Sequence, residues 1–141
     1  MDYRRYGDTW LVRLDRGEEI CEALQALAVK EGIALAEVSG LGAVDQLTTA
    51  IFDSAKREFL TNAFEGAFEI TSLTGTVTTL EGQPHLHLHI SAGDLQGRVV
   101  GGHLKRAVIS VTAEILVRAL PGRSERRYDP EIGIYVLGFQ D

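Results

Sequence analysis

The stretch Pro84-His85-Leu86-His87-Leu88-His89-Ile90 decides how this chain reads. Polar and apolar side chains alternate strictly through it, the period of a strand with one face in a core and one face out. Leu86, Leu88 and Ile90 are expected to face the core, while the three imidazoles share the opposite face. Neighbouring imidazoles then stand ~6.6 Å apart along the backbone, at a rise of ~3.3 Å per residue. Glu81-Gly82-Gln83-Pro84 before it reads as a turn. Gly93-Asp94-Leu95-Gln96-Gly97 after it reads as a tight connection into Arg98–Val100.

Working outward, strand-like sequence dominates. Phe68 to Leu80 is rich in Thr, Val and Ile, and Gly75 inside it marks a bulge or a close backbone approach. Ile33–Val38 feeds into Ser39-Gly40-Leu41-Gly42-Ala43, and Leu47–Phe52 resumes the extended pattern ahead of a turn at Asp53–Arg57. Ala107 to Leu120 alternates β-branched residues and reads as a strand, although Leu116–Leu120 suits a helix equally. Pro121-Gly122 breaks it, and Ile132 to Phe139 reads as the final strand. Near the start, Tyr6–Leu14 reads as the first strand. Asp15-Arg16-Gly17-Glu18 resembles a capping box, and Ile20, Leu24, Leu27 and Ala28 fall on one helical face. That predicts one main helix over about 18–31, stopped by Gly32. The fold class expected is α+β: a single domain over 1–141, mostly antiparallel or mixed sheet with one helix.

Composition agrees with one folded domain. The chain has 141 residues, 45% hydrophobic and 24% charged, which excludes intrinsic disorder. No apolar run approaches the ~18 residues of a membrane-spanning helix. No hydrophobic signal segment follows Met1–Tyr6, and the single Cys21 cannot form an internal disulfide. A reducing cytoplasm is therefore expected. The net charge of −6 disfavours nucleic acid as a partner. Charge is uneven, however: Arg118, Arg123, Arg126 and Arg127 face only Glu125 between 118 and 127. That run reads as a solvated turn of mixed charge, with a phosphate-contacting patch as the alternative.

The chemistry concentrates at the histidines. All four lie between positions 85 and 103. Three imidazoles on a straight strand cannot all reach one ion easily, because the outer pair lies twice as far apart. Two from this strand plus His103, brought back behind Gly101-Gly102, make a better set, since glycines let the backbone approach closely. Three neutral nitrogens leave a fourth position open for water, as in reactive zinc sites; other first-row divalent metals also suit imidazole. The competing reading is a merely polar strand face. Such a site could also hold a metabolite carboxylate or phosphate as a sensor, without turnover.

Other candidates are weaker. Cys21 reads as small core filler on the helix. Ser39-Gly40-Leu41-Gly42 lacks the third glycine and the helix of a dinucleotide fingerprint, so it reads as a turn or bulge. Glu69 and Glu114 lie in otherwise apolar strands. They are sheet-surface residues or pocket acids, and Glu69 is the first to test as a catalytic proton acceptor.

The segments Ser39–Ala43, Phe68-Glu69-Ile70-Thr71-Ser72-Leu73-Thr74-Gly75, Pro84–His89 and Gly101-Gly102-His103-Leu104 together resemble the plant-and-prokaryote conserved (PPC) domain in its stand-alone prokaryotic form, from Tyr6 to about Phe139. The resemblance implies an α+β domain that assembles as a homotrimer. It also implies a metal site that maps onto His87, His89 and His103, with His85 as an outlying member. Plant domains of this kind follow AT-hook segments in nuclear DNA-binding proteins. This sequence has no Arg-Gly-Arg-Pro core of an AT-hook, so the minor-groove reader is missing. The expectation is a trimeric protein with a three-histidine zinc site, acting as a small-molecule enzyme or sensor. The alternative is a DNA-binding or regulatory module working through Arg118, Arg123, Arg126 and Arg127.

Overall fold

Strict alternation needs partners on both edges, and the chain supplies them from its own long strands. The computed structural model describes residues 1–139; positions 140 and 141 of the expected domain lie outside the described residues. Its elements run β1 (Asp2–Tyr6), β2 (Thr9–Asp15), α1 (Ile20–Glu31), β3 (Ala36–Asp53), β4 (Glu58–Leu80), β5 (Gln83–Gly93), β6 (Val99–Ala119), β7 (Glu125–Asp129) and β8 (Ile134–Gly138). The expected α+β class, mostly sheet with one helix, is what is observed.

The strands pair in the order β1-β2-β6-β3-β4-β7-β8, and β5 joins both β4 and β6. β3, β4, β5 and β6 therefore hydrogen-bond in a closed cycle, which leaves none of these four as a free edge along its whole length. Closing so few strands demands sharp bending. The register shifts at Gly40/Gly42 and Val44/Gln46 of β3, and at Ile70/Ser72 of β4, supply it. Ser39–Gly42 is thus a bulge. Gly75 is a close approach: a Cβ there would overlap the carbonyl oxygen of His87 on β5.

The core lies between the inner face of the strands and α1. Ile20, Leu24, Leu27 and Ala28 of the helix are buried against Trp10, Val12, Leu14, Val38, Leu88 and Ile90. Burying these side chains is what holds a 12-residue helix together, since an isolated helix of that length is marginal in water. Gly32 ends it in the left-handed conformation, as expected. Its start differs: Glu19 is the cap, accepting from the Glu22 amide, and the Asp15–Glu18 pair closes the turn before it. Cys21 packs against the core from the helix flank, and burial pushes its thiol up to about 12.

Two strands were not expected. β1 pairs with β2 through a turn at Gly7, and β7 and β8 form a hairpin where a solvated turn was expected ahead of the last strand. β7 joins β4 in parallel at Thr79 and Glu125.

Candidate metal and ligand site

His87 and His89 project from the outer face of β5 because Leu88 and Ile90, 2% and 3% exposed, are fixed in the core on the other face. His103 enters from β6, directly paired with His89. Gly102 before it has a φ of 152°, and a Cβ there would stand 2.9 Å from the Ala50 carbonyl oxygen. Only glycine lets β6 lie so close to β3, which aligns His103 with its partners. The three ring centroids form a near-equilateral triangle, with sides of 5.2, 5.3 and 5.7 Å. One ring nitrogen from each lies within 4.8 Å of the others. Tetrahedral zinc holds nitrogens at ~2.0–2.1 Å and hence ~3.3 Å from one another, so small ring rotations close the difference.

These imidazoles form the floor of a cavity of about 680 Å³. The tip of the β3–β4 hairpin supplies one wall, where the tilted rings of Phe52 and Phe59 have their centres 5.1 Å apart and the Phe59 ring lies 5.5 Å from that of His103. The β7–β8 hairpin supplies the facing wall with Tyr128 and Tyr135, 5.5 Å apart. Arg57 of the first hairpin donates to the Pro130 carbonyl of the second at 3.4 Å, bridging the two flaps. His85 and Lys105 line the same space. His85 is outside the three-nitrogen cluster.

Burial disfavours the charged form of three imidazoles, His85, His87 and His103. It pushes His103 down to about 4, helped by Lys105 and the other rings. It also lowers His87 and His85, with the Arg126 guanidinium as the next cause for both. Neutral imidazole is the state that ligates a metal.

Arg126 lies apart from the other three arginines of its run. The sequence groups it with Arg118, Arg123 and Arg127 in a solvated turn, or alternatively a phosphate-contacting patch, whereas it is 8% exposed and turned into the cavity. Its Nε donates to Thr78 Oγ1 at 3.0 Å, its Nη1 to the Tyr135 carbonyl at 3.3 Å and its Nη2 to His87 Nδ1 at 3.1 Å. A guanidinium is only ever a donor, so Nδ1 accepts and a neutral His87 then carries its proton on Nε2. In that tautomer neither nitrogen of His87 is free for a metal. The donor set fits zinc or a similar ion once Arg126 has turned away from His87.

The other expected site residues scatter. Arg118 pairs with Glu37 on the exposed face of β6 and β3. Arg123 holds Glu125 at 2.9 Å, and Arg127 points away from Arg126 on the exposed side of β7. The four arginines make no common patch. Glu69 is exposed and pairs with Gly93, five residues up β4 from the Thr74 that faces His89, roughly 16 Å along the strand. It is not among the residues that line the cavity, so this geometry gives it no contact with the imidazoles. Glu114 is likewise an exposed residue of the outer sheet face.

The aromatic walls, and the place of Arg126 in the cavity, went unread in the sequence. A signal was present: Asp129-Pro130-Glu131-Ile132-Gly133 is turn chemistry, with Asp129 Oδ1 accepting from the Glu131 and Ile132 amides and Gly133 at a φ of 91°. Read as a hairpin, it puts Arg126 and Tyr128 on one face.

The profile of the Plants and Prokaryotes Conserved (PCC) domain matches residues 1–121. A solved structure from Bacteroides thetaiotaomicron, described as a "putative DNA-binding protein", superposes with a TM-score of 0.95 at 30% identity, covering 98% of this chain and 96% of that one. A "metal-containing protein" of Archaeoglobus fulgidus superposes with a TM-score of 0.89 at 29% identity, covering 99% of each. The bifunctional protein GlmU of a Synechococcus strain is 32% identical over 129 residues, 89% of this chain; the chain spans 20% of that relative's length. Profile and superpositions agree with the histidine-bearing, cyclically paired sheet: the chain belongs to the Plants and Prokaryotes Conserved (PCC) domain family.

Proposed function

We propose that this protein is a homotrimeric, cytoplasmic metal protein. In this reading His87, His89 and His103 hold one divalent ion, zinc before others, beside a cavity that takes a small molecule. The observation that carries the reading is the convergence of three imidazole nitrogens within 4.8 Å, from two strands, inside a cavity. Burial that favours the neutral form of His87 and His103 supports it, as does the metal in the Archaeoglobus relative. When bound, such an ion supplies a Lewis acid with an open position. The chain's own part is to favour neutral His87 and His103, to wall the site with Phe52, Phe59, Tyr128 and Tyr135, and to carry Arg126 beside His87. Self-association has support on the outer sheet face, where Leu11 and Leu116 pair side by side, Leu41 lies diagonally next to Leu116, and all three are exposed. Elemental analysis of tag-free protein after zinc loading and desalting tests the metal. About one ion per chain is expected, and less than roughly a tenth, the level of an incidental contaminant, overturns it.

DNA binding is the second reading, favoured by the description of the Bacteroides relative. It predicts a duplex complex at low salt that weakens steeply as salt rises. A flat salt response or no complex counts against it.

A further inference from the structure

Among the described residues, nothing in the cavity balances one of its charges. Arg126 is more than nine-tenths buried, and among the described residues no Asp or Glu pairs with it. Its three acceptors are a hydroxyl, a carbonyl and an imidazole nitrogen, all neutral. Three of its five N–H donors are committed, so two remain. Lys105 adds a second positive charge, its Nζ 5.0 Å from the centre of the Phe59 ring. Among the described residues the lining holds Phe52, Phe59, Tyr128 and Tyr135 but no carboxylate. A buried, uncompensated guanidinium is costly, and Arg is the side chain whose planar fork matches an oxyanion in two parallel hydrogen bonds.

We propose that the small molecule this cavity takes is an aromatic oxyanion. Arg126 binds its carboxylate or phosphate group, and the paired aromatic walls hold its ring. A cavity of about 680 Å³ lies in the ~300–1,000 Å³ range of sites for molecules of that size. In the free protein Arg126 rests on His87; the incoming oxyanion, a stronger acceptor than a neutral ring nitrogen, takes the guanidinium over. The inference rests on the same cavity as the metal-centre reading, but its ligand is held by Arg126 and does not require the ion.

The test uses the full chain stripped with a chelator, so that a failure of zinc binding does not enter the result. Benzoate and phenyl phosphate are titrated by calorimetry, with benzyl alcohol as the uncharged control, into wild type, Arg126→Met and Arg126→Lys. Thermal melting confirms that each variant is folded. Wild type is expected to bind at least one of the two anions more than about tenfold tighter than benzyl alcohol. Arg126→Met is expected to lose about tenfold or more, and Arg126→Lys to keep part of the affinity. Benzoate and phenyl phosphate affinities together say which oxyanion fits. Equal affinity in wild type and Arg126→Met, equal affinity for benzyl alcohol, or no anion binding at ~10 mM overturns the proposal. Should Arg126→Met not fold, the Arg126→Lys titration and the shift of the Arg126 Nε–H resonance on adding anion decide it.

Discussion

At the scale of single residues, the site is a contest for His87. A metal needs one of its nitrogens bare, and Arg126 occupies Nδ1 while fixing the proton on Nε2. Removing the guanidinium takes away both that competition and a nearby positive charge. Arg126→Met is therefore expected to tighten zinc binding by about tenfold, measured by competition with a chromophoric chelator. His103→Ala is expected to weaken it by about a hundredfold or more, whereas His85→Ala, outside the cluster, leaves it within about threefold. Glu125 shows how the β7 flap is fastened. Its carboxylate accepts from Thr79 Oγ1 at 2.6 Å, Arg123 at 2.9 Å and the Gly82 amide at 3.2 Å, and these donors lower it to about 2. The folded-state value lies below the usual one, so the stabilisation is fully present above pH 4.5 and is lost as pH falls toward 2. Glu125→Gln is expected to flatten the fall in melting temperature across that interval; an unchanged acid limb contradicts the fastening.

At the scale of elements, β5 presents His87 and His89 outward because its other face, with Leu88 and Ile90, is committed to the core. Gly75 on β4 lies so close to the His87 carbonyl that any side chain there pushes the two strands apart. Gly75→Ala is expected to cost ~1–3 kcal/mol by denaturant unfolding and to weaken metal binding as well. Leu24→Ala in α1, packed on the far side, is expected to cost ~2–5 kcal/mol while leaving the affinity of the remaining folded protein unchanged. Alternation made β2, β5 and β6 legible in the sequence, and the three-and-four spacing of Ile20, Leu24, Leu27 and Ala28 made the helix face legible. β1 was missed because Asp2–Tyr6 is mostly polar and exposed and has no inward period to read. β7 was missed because its charge run masks the alternation of Arg126 and Tyr128 with Arg127 and Asp129. For the same reason the three imidazoles could be named in advance, whereas the guanidinium facing them could not: its position is set by the hairpin's crossing onto β4, a long-range contact that local pattern does not encode.

At the scale of the whole molecule, the closed cycle of β3, β4, β5 and β6 gives the site a rigid floor, and the two hairpin flaps give it walls. The cycle leaves outer strand faces that carry exposed Leu11, Leu41, Val111 and Leu116. Covering that surface would be a physical motive for the proposed self-association. Sedimentation at micromolar concentration is expected to give three chains per particle, and Leu116→Glu is expected to dissociate it; a monomeric wild type contradicts the assembly. The most direct measurement of the central claim is X-ray absorption at the zinc edge of tag-free protein carrying one equivalent of zinc. A first shell containing three imidazole nitrogens at ~2.0–2.1 Å is predicted. A shell of oxygen ligands without the imidazole scattering pattern would mean that the three rings share no ion.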